Sequence, residues 1–126
     1  INNDHSDVIP IQQENRGFSK GFVAVKPNCS LQSYLTAIHA LEFAGYKVDK
    51  LIITTLQAVS GAGYPGVASL DMVDNIVPYI GGEEKKTEQE PLKILGTVGE
   101  KGIINNDSIT ISSTYTRVSV RDRHTA

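Results

Sequence analysis

The chain has 126 residues, 40% apolar, 21% charged and 6% aromatic, with 12 Lys and Arg against 14 Asp and Glu for a net charge of −2. That length fits one domain able to bury roughly two-thirds of its unfolded surface, and so ordinary a balance of apolar and charged residues excludes disorder. No apolar run approaches the ~18 residues a bilayer requires, no basic stripe is present to neutralise nucleic-acid phosphates, and a single cysteine excludes a disulfide framework or a multi-thiolate metal site.

Residues 1–20 (INNDHSDVIPIQQENRGFSK) are polar with brief apolar punctuation and read as a surface connection leading into a domain over 21–126. The chain opens at Ile1 without Met and stops at Ala126, so the expectation is a piece of a longer protein. GFVAV at 21–25 is β-prone and predicts a short buried strand, broken by Pro27-Asn28-Cys29-Ser30. Leu31, Tyr34, Leu35, Ile38 and Leu41 follow at helical spacing, with Ala37, Ala40 and Ala44 raising helix propensity and Gly45 as terminator. KLIITTLQAV at 50–59 is a continuous β-branched run and predicts a strand buried on both faces, followed by an SGAGYPG turn. Leu70, Val73, Ile76 and Val77 suggest a short helix ended by Pro78. EEKKTEQEPLKIL favours another helix that Pro91 should kink or divide, and the alternation over 109–113 and 117–120 predicts two strands close enough for a hairpin. The order indicates an α/β fold with a mixed sheet.

Cys29 stands where a strand should hand over to a helix, so the helix N-terminus favours its thiolate and the turn projects it outward. The competing reading is a buried small hydrophobe. A single thiol fits a reducing, cytoplasmic setting. His124 is the candidate partner, with His5 in the polar leader and His39 inside the alanine-rich helix as rivals. Arg117 and His124 are seven apart and would face opposite ways on one strand; a turn at Arg121-Asp122-Arg123 would let both line one pocket. Glu83 and Lys86 share a helix face, where a solvated ion pair is the default. Gln57 closes a buried strand, where its amide must find partners or serve a ligand. The turn from Ser60 through Gly61 to Gly63 should expose backbone N–H groups at that strand end, where ligands of open α/β sheets bind.

PNCS at 27–30, QAVSGAGYPGV at 57–67, DNIVPYIGGEE at 74–84, EPLKILG at 90–96 and RVSVRDRHT at 117–125, taken in order, resemble the catalytic and dimerisation domain of aspartate-β-semialdehyde dehydrogenases of the archaeal and fungal type. The resemblance implies a glyceraldehyde-3-phosphate dehydrogenase-like C-terminal domain, a mixed sheet with helices on one face. It implies Cys29 as nucleophile and carrier of a thioacyl intermediate, His124 as acid/base, and Gln57, Glu83, Lys86 and Arg117 as ligands of the substrate's body, amino group, phosphate and carboxylate. Ser60, Gly61 and Gly63 would approach NADP, the cofactor, and no metal is implied. Such a protein is a cytoplasmic homodimer or homotetramer acting on a small amino-acid phosphate. The chain departs from the family pattern at Arg123 (commonly Gly), Ser119 (Pro), Ala126 (Glu) and Tyr115-Thr116 (Cys-Asn). No dinucleotide-binding fold is read in these residues, so the nucleotide-binding domain is expected elsewhere and this chain alone is expected to be inactive.

Other readings remain. Malonyl-CoA reductase and N-acetyl-glutamyl-phosphate reductase share the implied architecture; Asn28 counts against the latter, which favours Gly there, and the Glu83/Lys86 pair suits an amino-acid phosphate better than a CoA ester. A noncatalytic dimerisation module is the alternative outside enzymes.

Overall fold

The computed structural model describes residues 6–126. His5 lies outside them. The leader is more ordered than its polarity suggested: Val8–Arg16 forms helix α1, ended by Gly17 in the left-handed region (φ 70°). Gly17 accepts that conformation because it has no Cβ.

The expected strand at 21–25 does not form, and Phe22, Val23 and Val25 are exposed. No neighbouring strand is present among the described residues to pair with it. Instead the Gln12 side chain on α1 both donates to Val23 O (2.9 Å) and accepts from Val23 N (2.7 Å), while Gln13 Nε2 donates to Gly21 O (2.7 Å). Two side-chain amides thus tie down a segment that has no ladder.

Helix α2 spans Leu31–Phe43, as its spacing predicts, and buries Leu31 and Leu35. Its last carbonyls are closed by Ala44 N, Gly45 N and Tyr46 N, with Gly45 at φ 88°. Strand β1, Lys50–Gln57, is covered on one face only. Ile53, Thr55 and Gln57 are buried, whereas Ile52 is 85% exposed and Thr54 and Leu56 share its outward face. The β-branched run reflects strand propensity here, and the helices cover a single side.

After β1 come a 3-10 turn over Val59–Ala62 and helix α3, Ser69–Met72. The helix expected to run on to Val77 stops early, because Asp74 takes a left-handed conformation (φ 53°) and re-aims Ile76–Val77 as strand β2. Helix α4, Glu83–Ile94, continues through Pro91 without division. Pro91 is fully buried and sits in the last turns, where it removes one backbone donor without ending the helix. Strands β3, Thr97–Gly99, and β4, Gly102–Ile104, make a small separate hairpin.

The C-terminal run forms one continuous strand, β5, Thr110–Val118, in place of the expected hairpin. Its fully buried Tyr115 occupies the stretch expected to turn, and the Tyr115 hydroxyl bonds that of Thr87 on α4. β5 pairs parallel with β1, from Lys50–Thr110 to Gln57–Arg117, and antiparallel with β2 at Val118 and Arg117. The sheet is therefore mixed, in the order β1-β5-β2, with α2 and α4 on one face. β2 is too short to cover all of β5. The carboxylates of Glu88 and Glu84 accept the N–H groups of Ser113 (3.1 Å) and Tyr115 (3.2 Å), so α4 completes that edge with side chains.

Beyond Val118 the chain reverses. Val59 N and Ser60 N donate to Val120 O and Arg121 O, and Leu56 and Thr125 exchange backbone bonds of 2.8 and 3.0 Å. Two departures from the family pattern acquire a physical reading. Ser119 donates its hydroxyl to Met72 O, tying the reversal to α3. Arg123 is held at φ 77°, a conformation that costs an L-residue with a side chain roughly 1–2 kcal/mol. Arg123→Gly is therefore expected to stabilise the protein by about 1 kcal/mol, a rise of a few degrees in Tm by thermal melting. A lower Tm would mean that the arginine side chain, not the turn, carries the stability there.

Candidate active site

The C-terminal ends of the parallel strands β1 and β5 open onto a cavity of about 650 Å³. Cys29, Gln57, Gly61, Glu83, Lys86 and Arg117 all line it, brought from the turn before α2, β1, the 3-10 turn, α4 and β5. A larger apolar depression of about 1090 Å³ lies near α3 and β2, lined by Val59, Val67, Met72, Val73, Ile76 and Val118 among others, without any of the predicted nucleophile, base or substrate ligands.

Cys29 is exposed in the turn immediately before Ser30, the N-cap of α2. The handover is from an irregular segment and not from a strand, but the thiol projects outward as expected. Asn28 forms the turn: its Oδ1 accepts from Ser30 N (2.9 Å) and its carbonyl from Leu31 N (3.1 Å).

Arg117 and His124 do converge, and the reversal after Val118 is the cause. One peptide unit and its neighbour position both: Ala58 N donates to His124 Nδ1 (3.0 Å), and Ala58 O accepts from Arg117 Nη1 (2.6 Å). Because Nδ1 accepts, the neutral imidazole carries its proton on Nε2. A Cβ placed at Gly61 would lie 2.8 Å from His124 Cε1, 3.2 Å from Nε2 and 3.3 Å from Arg117 Nη1, so the glycine gives both side chains their room. His124 packs beside Gly61 and is not itself among the residues lining the cavity, so the structure brings the expected base next to the pocket and not into it; no hydrogen bond joins it to Cys29 among the described residues.

The charged groups are paired with each other. Glu83 Oε1 accepts from Lys86 Nζ at 2.7 Å and Glu83 Oε2 from Asn28 Nδ2 at 2.9 Å. The hydrogen bond to Glu83 and then its charge raise Lys86 above its ordinary 10.5, against an opposing cost of desolvation, with lesser help from the charges of Glu90 and Cys29. Lys86 therefore stays cationic throughout neutral and mildly alkaline solution. If it binds a phosphate, the KM for that anion should be flat between about pH 8 and about pH 10; a rise across that range would show that another group supplies the charge. Gln57, almost fully buried, donates Nε2 to Ser30 Oγ at 2.6 Å, so its amide nitrogen is already engaged.

Ser60 and Gly63 are exposed and lie outside the cavity wall. The expected display of free backbone donors in this turn is not found: Ser60 N, Gly61 N and Gly63 N donate to Arg121 O, Ala58 O and Ser60 O. Tight local closure of the turn uses them. What this surface offers is the Ser60 hydroxyl and an open face at Gly63, where a Cβ would meet nothing within 4 Å. His39 is exposed on α2, as a surface residue. Among the described residues no cluster of three or more His, Cys, Asp or Glu side chains is placed to hold a metal ion, and no helix is long and apolar enough to cross a membrane.

Sequence reasoning missed Asn28, Ala58 and Glu90 as parts of the site. Glu90 had a signal: it lies four residues after Lys86 and seven after Glu83, on the same helix face. Ala58 had none, since it acts through its backbone.

Comparison with known proteins finds relatives along almost the whole chain. The family described as "Semialdehyde dehydrogenase, dimerisation domain" matches residues 38–126. An aspartate-semialdehyde dehydrogenase of Cryptococcus neoformans is 46% identical over 129 residues, covering 99% of this chain and 35% of that protein. One from Methanothermobacter thermautotrophicus is 41% identical over 125 residues, covering 99% and 35%. The crystal structure of the Candida albicans aspartate semialdehyde dehydrogenase with NADP superimposes with a TM-score of 0.76 at 34% identity, covering 97% of this chain and 34% of that one. The chain thus spans about a third of the length of the relatives it matches. With the family match extending from within α2 to the last residue, the chain belongs to the semialdehyde dehydrogenase dimerisation-domain family.

Proposed function

We propose that this chain supplies the nucleophile and substrate pocket of an NADP-dependent aspartate-semialdehyde dehydrogenase, which interconverts aspartyl-β-phosphate and aspartate-β-semialdehyde in amino-acid biosynthesis. The observation that carries the reading is the convergence of Cys29, Gln57, Glu83, Lys86 and Arg117 on one cavity at the sheet's C-terminal end. A pocket with the two carboxylates of Glu83 and Glu90, one ammonium and one guanidinium suits a small zwitterion bearing a carboxylate, an amino group and a phosphate.

In the biosynthetic direction the Cys29 thiolate adds to the acyl-phosphate carbonyl and phosphate leaves, giving a thioester on the sulfur. Lys86 holds the departing phosphate, Glu83 the amino group and Arg117 the carboxylate, while Gln57 orients the substrate. Ser60, Gly61 and Gly63 would meet the nicotinamide end of NADP; the open face at Gly63 leaves room for a flat ring, while Gly61 is backed by His124 and Arg117. NADPH, when bound, supplies the hydride that reduces the thioester carbon. His124 offers Nε2–H to the oxygen on which charge then develops, and collapse of the thiohemiacetal frees the aldehyde and restores the thiol.

Binding of the rest of the dinucleotide belongs to another domain: the G-x-G-x-x-G string GAGYPG at 61–66 follows β1 through a 3-10 turn and leads only into the four-residue helix α3, not into the long helix of a dinucleotide-binding unit. The partner is a second copy, for which the outward sheet face with Ile52, Thr54 and Leu56 is the natural contact. The test is NADPH formation from aspartate-β-semialdehyde, phosphate and NADP by the intact protein and by the 126-residue chain, with native mass measured on both. The intact protein should turn over as an oligomer and the chain should not. Turnover by the chain alone would overturn the division of labour, and an intact protein that reduced malonyl-CoA instead would overturn the substrate.

A further inference from the structure

The nucleophile turn has little to hold it. The segment before it is irregular and exposed, and no strand fixes residues 27–30. Asn28 is the residue through which this turn is fastened to α4. Its backbone N donates to Glu90 Oε2 at 2.9 Å, and its Nδ2 donates to Glu83 Oε2 at 2.9 Å and to Thr87 Oγ1 at 3.5 Å. Residues 83, 87 and 90 lie on one face of α4, so a single stripe of that helix meets Asn28. The remaining side-chain atom, Oδ1, closes the turn through Ser30 N.

The geometry points to Asn28 and Glu90 as positioning residues that lock Cys29 to the helix carrying Glu83 and Lys86. The consequence is mechanical. Attack requires the sulfur and the groups that hold the substrate to keep a fixed separation, and a shift of ~1 Å costs about a hundredfold. Anchoring the turn and the substrate ligands on the same helix makes them one rigid unit, although they come from residues some 55 to 62 apart in sequence. Chemistry dictates the residue types. Asn28 must donate from one side-chain atom while accepting at the other; an aspartate would turn a carboxylate oxygen toward the Glu83 carboxylate. Glu90 needs only an acceptor oxygen for Asn28 N–H, which glutamine also provides.

This inference rests on Cys29 being the nucleophile, so it needs one readout that depends on turnover and one that does not. In the intact protein, Glu90→Ala should lower kcat at least tenfold with KM within about twofold, and Glu90→Gln should recover most of that loss. Asn28→Asp should lose at least as much as Glu90→Ala. Independently of any reaction, amide hydrogen exchange at Asn28 should accelerate at least about tenfold in Glu90→Ala, stay near wild type in Glu90→Gln, and be unchanged on the β1–β5 ladder in both. Equal kcat in Glu90→Ala and wild type, or an equal loss in Glu90→Gln and Glu90→Ala, overturns the positioning role. Unchanged exchange at Asn28 in Glu90→Ala overturns the clamp itself, whatever the protein's substrate. If exchange responds as expected while the wild-type protein shows no dehydrogenase activity, the clamp stands and the functional reading falls.

Discussion

Cys29→Ser in the intact protein should reduce turnover at least about a thousandfold while leaving the melting temperature almost unchanged. Both halves of that expectation come from the position of the sulfur. The thiol is exposed in a turn, so replacing it by a hydroxyl removes no core packing. The chemistry, in contrast, depends on an anion that serine does not provide near neutral pH. A thiol is a few per cent ionised at pH 7 and intrinsically nucleophilic, whereas a serine hydroxyl needs a base already poised on it. Among the described residues no such base is hydrogen-bonded to residue 29: His124 spends Nδ1 on Ala58 N–H and packs beside Gly61, outside the cavity lining. NADPH formation under saturating substrate is the measurement. A variant retaining a tenth or more of the wild-type rate would remove Cys29 from the mechanism and leave the domain with an assembly role.

The second large effect is expected at a residue with no side chain. Gly61→Val should lower kcat/KM about a hundredfold, with Gly61→Ala between it and wild type. A Cβ at this position stands 2.8 Å from the His124 ring and 3.3 Å from the Arg117 guanidinium. Neither group can give way freely. The imidazole is held by Ala58 N at 3.0 Å and the guanidinium by Ala58 O at 2.6 Å, and Arg117 is only 7% exposed. Moving either side chain breaks its tie to the strand end and leaves a buried donor or acceptor without a partner. The loss should appear in kcat through His124 and in KM through Arg117. Steady-state kinetics of the two variants, with circular dichroism to establish that the sheet persists, provides the check. Full activity in Gly61→Val would show that the imidazole is not needed where it stands.

These effects depend on a small, polar core. Thr55, Thr87, Ser30, Gln57 and Arg117 are buried beside Leu31, Ile53 and Tyr115. Most polar groups withdrawn from water are hydrogen-bonded, and their bonds have direction; the Thr55 hydroxyl is an exception, buried without a partner among the described residues. Gln57 to Ser30, Thr87 to Tyr115 and Arg117 to Ala58 connect the interior to the cavity wall. Oily packing tolerates slippage more readily than such a network.

Local sequence chemistry was sufficient wherever an element depends on its own residues. The periodicity from Leu31 to Leu41 with Gly45 beyond it specified α2, the β-branched run specified β1, and ordered motifs around Cys29, Gln57, Glu83, Arg117 and His124 identified the family. Tertiary structure decided whatever depends on a neighbour. GFVAV is as strand-prone as β1, but without an adjacent ladder it is held by two glutamines; 109–120 carries turn-like chemistry, but Tyr115 bonded to Thr87 keeps it one strand. Most of all, Arg117 and His124 meet because the chain reverses through a left-handed Arg123 and both side chains bind the backbone of Ala58. A backbone N–H and C=O are common to nearly every residue and leave no trace in the sequence, so only the folded chain reveals which of them aims the His124 and Arg117 side chains.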